Sequence, residues 1–341
     1  MNDRPAVLVT GGAGYIGSHC CRALLAAGYD PVVYDNFSTG HRGFVTGALV
    51  TGDLQDRAKL AHAFAQHDIV AVMHFAASSL VGESVADPRK YYTNNLAGTL
   101  SLLDAMREAG CKRLVFSSTG AVYGNADSKA LAEDFCCDPI NPYGASKWMI
   151  ERVLKDFRSA YGLGAFALRY FNASGADASG GIGELREPET HLIPRAMMAL
   201  QGHVSDFAVF GDDYDTPDGT AIRDYIHVTD LADAHVLALK LLMQGHCGGV
   251  FNLGTGNGFS VREILAAVAA ETGRAVPHVI KPRRAGDPAY LVADPTAARE
   301  TLQFRPAHSD LATIVRTAWA WHQKAHPVKR TEVGADLSPA A

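Results

Sequence analysis

The chain is poor in several things, and each shortage closes off a class of protein. It has 341 residues but only six cysteines, Cys20, Cys21, Cys111, Cys136, Cys137 and Cys247. These form no CxxC pair and no metal-ligand spacing, so no metal is expected. The two adjacent pairs are badly placed to bridge internally, and reduced thiols in a cytoplasmic protein are the economical reading. No apolar run approaches the ~20 residues of a membrane span. The opening "MNDRPAVLVTGG" lacks a basic region, a long apolar stretch and a small-residue cleavage site, so no signal peptide is expected. Positive charge is not in excess. A net charge of -5 argues against nucleic acid or an anionic membrane as the main partner, while leaving room for local basic sites for phosphates.

What is present looks ordinary in bulk, at 48% hydrophobic and 20% charged residues. The length allows one large domain or two closely packed ones. Short apolar runs ("AVLVTGG", "PVVYDN", "ALVTGD", "AVMHFAA", "RLVFSS", "AFALRYFN") alternate with helix-like stretches near residues 17–27, 57–66, 93–109 and 143–161. Continuous apolar strands separated by helices predict a parallel sheet covered on both faces, an α/β fold. Beyond Asn172 the rhythm loosens. "ASGADASGGIGELREPETHLIP" reads as a long functional loop. "VFNLGTG" and helices over 261–272 and 309–322 read as a smaller domain fed by crossovers. The expected division is 1–172, with later crossovers returning to it, mainly 173–326 for the smaller domain, and a mobile tail from 327 to 341.

In "VLVTGGAGYIGSH", Gly11, Gly14 and Gly17 follow GxxGxxG, and Gly12, Gly14 and Gly17 also satisfy GxGxxG. Glycines between a strand and a helix let backbone N–H groups approach a pyrophosphate, whose charge the helix N-terminus favours. A second strand ends at Asp35, 18 residues beyond Gly17. An acid there accepts the ribose hydroxyls and repels a 2'-phosphate, so the expected cofactor is NAD rather than NADP. Further contacts are expected where the next strands end. Asp53 and Leu54 are placed to address the adenine, unless Asp53 merely caps the following helix. Phe75, Ala76 and Ala77 border the pyrophosphate or simply pack.

"NPYGASKWMIERVL" puts Tyr143 and Lys147 four residues apart at a helix start. Residues i and i+4 are neighbours on a helix face, and the helix dipole is positive at that end. Both effects favour a phenolate and make Tyr143 a candidate proton acceptor. Alone, the spacing is a weak signal.

In company it is stronger. The glycine loop, "FSSTGAVYG" and "YGASK" in that order identify the chain as resembling the extended short-chain dehydrogenase/reductases. "GESVADPRKYYTNNLAGT", "LRYFNASGA", "DGTAIRDYIHVTDLADAH", "FNLGTG" and "RRAGDPAYLVAD" narrow the resemblance to the UDP-glucose 4-epimerase family, over residues 6 to 325. The resemblance implies a Rossmann-type doubly wound parallel sheet, a smaller C-terminal nucleotide-sugar domain and a homodimer. It implies reversible epimerisation at C4 of a UDP-hexose through a 4-keto sugar on tightly held NAD.

By the same resemblance, Tyr143 is the base and Lys147 holds the nicotinamide ribose while lowering the phenol's pKa. Thr119 hydrogen-bonds the sugar's 4-oxygen, and Ser117 is a structural hydroxyl beside the cofactor. Tyr15, Ile16, Asn36, Ser38 and Gly40 join the glycine loop and Asp35 around NAD, with Asn94 and Tyr170 further along. Asn172, Arg223 and Arg284 are expected on the diphosphate, although Arg223 has Asp224 as an alternative partner, and Asp287 on the uridine ribose. Leu192 and Phe210 complete the substrate set.

The chain departs from the family pattern in three places. Thr190 and His191 stand where relatives have an asparagine pair, leaving His191 as a substrate contact. Ser79 stands where some members have a lysine near the cofactor. Leu291, seven positions after Arg284, replaces a bulky tyrosine that excludes N-acetyl groups, with Tyr290 beside it. That implies a more open pocket, one that accepts UDP-GlcNAc. UDP-xylose and UDP-glucuronate remain alternative substrates. Gly120 and Ala121 after Thr119 supply none of the proton carriers that a 4,6-dehydratase needs. The reading from another class, a non-catalytic NAD-sensing regulator, is disfavoured by the presence of Tyr143, Lys147 and Thr119.

Overall fold

The computed structural model describes residues 4–126, 128–284 and 286–327. The tail expected from 327 therefore lies, beyond Pro327, outside the described residues. Strands and helices alternate through the first half: β1 (Ala6–Thr10), α1 (Tyr15–Ala26), β2 (Asp30–Asp35), β3 (Ala48–Thr51), α2 (Arg57–Gln66) and β4 (Ile69–His74). Next come the short α3 (Val81–Ala86) and α4 (Pro88–Tyr91), then α5 (Gly98–Glu108), β5 (Arg113–Thr119), β6 (Ser128–Leu131), α6 (Pro142–Tyr161) and β7 (Gly164–Tyr170). The second half holds β8 (Asn172–Ser174), α7 (Leu192–Leu200), β9 (Ala208–Phe210), β10 (Ile222–His227), α8 (Val228–Met243) and β11 (Gly248–Leu253). It ends with β12 (Gly258–Ser260), α9 (Val261–Thr272), β13 (Val279–Lys281), β14 (Tyr290–Ala293), α10 (Thr296–Thr301) and α11 (Leu311–Ala325).

Seven parallel strands form the main sheet in the order β11-β7-β5-β4-β1-β2-β3. Side chains alternate across it. Val7 and Val9 of β1 face a core shared with Cys20, Leu24, Leu231 and Leu239 of α1 and α8. Leu8, between them, faces Leu60, Leu102 and Ile150 of α2, α5 and α6. These side chains are fully or almost fully buried, and each contributes about 1.5–3 kcal/mol by leaving water. Burial on both faces is why the strands read as unbroken apolar runs. The result is the doubly wound Rossmann-type sheet. Its winding reverses between β1 and β4, and ligands of such sheets sit at the carboxyl ends of the strands flanking that reversal.

Two differences from the sequence reading stand out. β11, grouped there with the smaller unit, pairs in parallel with β7 from Gly248↔Ala165 to Leu253↔Tyr170. α8 was not anticipated. Ten of its residues are buried, among them Val228, Leu231, Ala232, His235, Leu239 and Leu242 at helical spacing. The remaining strands make a small sheet, β12-β10-β14-β6 with β8 beside β10, and a two-stranded pair, β13-β9. A third core joins α7, α9 and α11 through Ile193, Met197, Ile264, Val268 and Ile314.

Candidate active site

The glycine loop leaves β1 and enters α1 with no room for side chains. Gly11 has a φ of +71°, and a Cβ on it would lie 2.6 Å from the amide nitrogen of Ala76. A Cβ on Gly17 would lie 2.3 Å from the carbonyl oxygen of Gly11. α1 has Gly14 as its N-cap and no capping side chain, so its first amides at Tyr15, Ile16 and Gly17 are donors suited to an anion. Asp35 closes β2 as a buried carboxylate accepting from the Ala13 amide at 3.0 Å and the Phe37 amide at 2.8 Å. A Cβ on Gly40 would come within 2.8 Å of that carboxylate. Asn36 donates to Asp53 at 2.8 Å and accepts from the Ser38 amide at 2.9 Å. The cap of α2 is Asp56, whose carboxylate accepts from the Lys59 amide. Asp53 accepts instead from the Gln55 amide at 2.9 Å, and Leu54 is buried against Gly98.

Across the reversal, Phe75 donates its amide to Thr10 at 2.9 Å, and its ring lies 4.8 Å from that of His235. Ala76 backs directly onto Gly11, and Ala77 continues toward Ser78. Before α5 the chain widens into a π-helical stretch, Tyr92–Ala97. Such turns re-aim side chains, and here Asn94 and Asn95 reach Ser78 at 3.2 and 3.0 Å.

Tyr143 sits in the first turn of α6, which starts sharply for local reasons. Asn141 caps it by accepting from the Gly144 amide at 2.9 Å, and Pro142 pre-sets the first φ. The phenol faces Thr119, at the end of β5, whose hydroxyl accepts from the Ala121 amide at 3.1 Å. Burial pushes the phenol above its ordinary pKa, while the Thr119 hydroxyl and the Arg186 charge pull it back. Lys147 follows one turn later on α6. Its ammonium is turned onto β5, donating to the Ser117 carbonyl at 2.8 Å and lying 4.8 Å from the Phe116 ring centre. Burial lowers it to about 7, with Glu151 pulling the other way. Being almost enclosed, it trades hydration for one carbonyl and a ring face.

Two expected cofactor hydroxyls are already engaged within the fold. Tyr15 donates to the Gly175 carbonyl at 2.6 Å, which leaves its backbone amide for a ligand. Tyr170 is hydrogen-bonded to Ser117, and burial pushes its phenol well up.

On the sugar side, Asn172 donates to the Asp224 carbonyl at 2.9 Å. Arg223 is paired with Asp287 and also donates to the carbonyls of Ile222 at 2.7 Å and Pro288 at 2.9 Å. Asp224 is not its partner. That carboxylate turns inward to the Thr255 and Gly256 amides at 3.0 and 3.1 Å, because neighbouring residues of a strand face opposite ways. Arg284 stacks 4.0 Å over Phe210, whereas Arg283 is held by Asp213 at 2.7 Å. His191 binds the buried Glu184 at 2.7 Å, and Leu192 begins α7. Leu291 packs against the buried cluster of Val122, Tyr123, Ala126 and Leu131; Tyr290 faces the other way, under the Lys129 ammonium at 4.7 Å.

Residues 7–254 match the model of the NAD dependent epimerase/dehydratase family. The chain belongs to this family. Within the epimerase/dehydratases it is 51% identical to the UDP-glucose 4-epimerase of Rhizobium meliloti (strain 1021), over 93% of this chain and 97% of that protein. The crystal structure of UDP-glucose 4-epimerase from Brucella ovis in complex with NAD superposes with a TM-score of 0.90 at 55% identity, covering 92% and 97% of the two chains. The UDP-Glc/GlcNAc 4-epimerase of Campylobacter jejuni superposes at 0.83 with 38% identity, covering 94% and 99%.

Set among these epimerase/dehydratases, the chain shows residues at its cleft that motif reading passes over. Arg186 donates to Glu184 at 2.8 Å and to Ser79 at 3.2 Å. His74 joins Thr10 at 2.6 Å to Thr99 at 2.8 Å beneath the cofactor loops. Four charged residues in "GELREPETH", Glu184, Arg186, Glu187 and Glu189, are the only signal for the first, and no spacing rule marks it. The second lies in an apolar strand where a histidine reads as core.

Proposed function

We propose that this protein interconverts UDP-hexoses at C4, with UDP-glucose and UDP-galactose as the substrate pair. The observation that carries the reading is the placement of Thr119 at the end of β5 and Tyr143 in the first turn of α6, with β5 beside β4 at the sheet's winding reversal and the glycine loop across it. The cofactor fits the residues present: side-chain-free glycines where a Cβ would collide, uncapped α1 amides and an acid at the end of β2. Gly11, Gly14, Gly17 and Asp35 would hold NAD, with Lys147 toward its nicotinamide ribose. NAD, when bound, takes a hydride from C4 of the sugar and later returns it.

The chain's own part is proton transfer and restraint. Thr119 hydrogen-bonds the sugar's 4-oxygen, and Tyr143 accepts the 4-hydroxyl proton and gives it back. For the configuration to invert, the keto sugar must present its other face. The grip therefore belongs on the nucleotide: Arg223 and Arg284 on the diphosphate, where a planar guanidinium pairs its hydrogen bonds, and Asp287 on the ribose. Asn172 supports the same end. Incubation with a panel of UDP-sugars and no added cofactor, resolved by chromatography, should yield the C4 epimers. Failure to convert either UDP-glucose or UDP-galactose would overturn the reading.

A specific observation favours a wider substrate range. Leu291 packs against the same buried cluster as Phe171, whose ring closes on Gly120 beside Thr119, while Tyr290, the next residue along β14, lies under Lys129 instead. We infer that the pocket also admits UDP-GlcNAc. Absence of UDP-GalNAc at enzyme levels that equilibrate UDP-glucose sinks that inference.

The proposed assembly is a homodimer through the outer face of α3, α5 and α6, where Val85, Leu100, Trp148 and Met149 are exposed. Light scattering should report two copies, and one copy for Trp148→Glu. The proposed compartment is the cytoplasm, where all six free thiols stay reduced. No helix among the described residues is long and apolar enough to cross a membrane.

A further inference from the structure

Two consecutive residues of β5 hold two residues of α6. The Ser117 carbonyl accepts the Lys147 ammonium at 2.8 Å, and the Ser118 hydroxyl donates to the Glu151 carboxylate at 2.5 Å. Thr119 is the next residue of the strand, and Tyr143 lies one turn before Lys147 on the helix. Tyr143, Lys147 and Glu151 therefore share, at i, i+4 and i+8, the face of α6 that meets β5.

Glu151 is buried and gripped at both oxygens. Arg169 of β7, also buried, donates from Nη2 to Oε2 at 2.6 Å and from Nε to Oε1 at 3.0 Å. Oε1 is also the atom that Ser118 reaches. Through Nη1, Arg169 donates to the Tyr123 hydroxyl at 2.9 Å, which donates onward to Asn252 of β11 at 2.8 Å. One carboxylate on the helix is thus tied to three adjacent strands of the main sheet.

Enclosing a carboxylate and a guanidinium is costly, and apolar residues of similar volume often serve the fold as well or better. What the pair adds is direction. Ile150 and Leu154 of α6 pack into the core beneath the sheet, and apolar contact grips without fixing a position along the helix axis. At the first turn Gly144 sets how closely the helix approaches, since a Cβ there would lie 2.6 Å from the Ala121 carbonyl oxygen. A two-pronged guanidinium–carboxylate contact fixes orientation and position together.

We propose that Glu151 and Arg169 are positioning residues for the reaction: their pair sets the register of α6 along β5, and with it the placement of the Tyr143 phenol against Thr119. This rests on the reading of Tyr143 as the base. A misplacement of about 1 Å in a reacting geometry costs up to ~10²-fold in rate. A slip of α6 too small to unfold the protein is therefore enough to cut turnover.

The test removes the direction and keeps the packing. In Glu151→Leu/Arg169→Met both charges go and the volume is nearly kept, so the NAD-loaded protein should melt close to the unsubstituted one and retain its cofactor. kcat for UDP-glucose should fall roughly 10–100-fold with KM within about threefold. The reduced-nicotinamide absorbance should rise correspondingly more slowly when the UDP-sugar is added. A crystal structure of the variant should show Tyr143 Oη displaced relative to Thr119 Oγ1. Full kcat in a well-folded double variant overturns the proposal, as does a loss confined to KM or a loss of turnover with α6 in place. Should the double variant fail to fold, Ser118→Ala removes only the β5 hydroxyl and must show a displacement of α6 with a several-fold loss of kcat; unchanged turnover there overturns the proposal equally. Failure of the base assignment is read separately. If Tyr143→Phe keeps full activity, that assignment falls, while the displacement of α6 still decides whether the pair sets the register.

Discussion

On the proposed cofactor side of the cleft the holding would fall mainly to backbone, three glycines and the uncapped amides of α1, joined by the Asp35 carboxylate, within the span from Gly11 to Asp35. On the proposed sugar side the same work would fall to side chains from distant segments, Asn172, Arg223, Arg284 and Asp287, and two of these neutralise each other. A backbone cradle is rigid and blind to side-chain identity except where a Cβ would collide. A cradle of paired charges exchanges partners, since Arg223 must loosen Asp287 to meet a diphosphate. Firm retention on one side and exchange on the other is what a reaction needs when its cofactor stays and its substrate leaves.

The contrast can be broken experimentally. The largest effect is expected from Gly17→Val, which forces a side chain to within 2.3 Å of a carbonyl oxygen. Absorbance should find no bound NAD and assays no activity, with a fold weakened by about 1–3 kcal/mol. Next, Tyr143→Phe should keep bound NAD but lower kcat by about 10²–10⁴; near-normal turnover would remove it from the mechanism. On the other side, Asp287→Asn should raise KM roughly tenfold without changing NAD content, since it removes one partner of a partly buried ion pair. A loss of NAD in that variant would show that the two sides are not separately built.

The smallest effect on neutral-pH activity comes from buried histidines, which act on stability at low pH. His74, among the cofactor strands, has both ring nitrogens hydrogen-bonded. His322, on the sugar-side α11, has neither partnered. Burial lowers His322 to about 4. An unfolded histidine takes up its proton near 6.5, so between those values the unfolded chain binds more protons. Stability is then full above pH ~6.5 and falls by about 3 kcal/mol as pH drops to 4. Thermal melts of His322→Phe should show a shallower fall over that window, with little change at pH 7. An unchanged acid slope would remove His322 as its source.

Local features were legible from the residues alone, because their physics is local. The glycine spacing, the apolar runs buried on both faces, Asp35 at a strand end and the Asn141-Pro142 start of α6 each depend on neighbours within a few positions. So does the i, i+4 placement of Tyr143 and Lys147, but not its consequence. What an ammonium does depends on what surrounds it, and β5 drew Lys147 onto the Ser117 carbonyl. Tertiary structure likewise decided that β11 joins the main sheet, that Arg223 pairs with Asp287 rather than Asp224, and that Arg186 stands between Glu184 and Ser79. Electrostatic partners are chosen in three dimensions, among residues more than a hundred positions apart in the chain for Arg186 and Ser79. The amino-acid order specified the glycine turn and the helix start that carries the proposed base; only the packing of two loops and a sheet decided which groups Lys147, Arg186 and Arg223 meet.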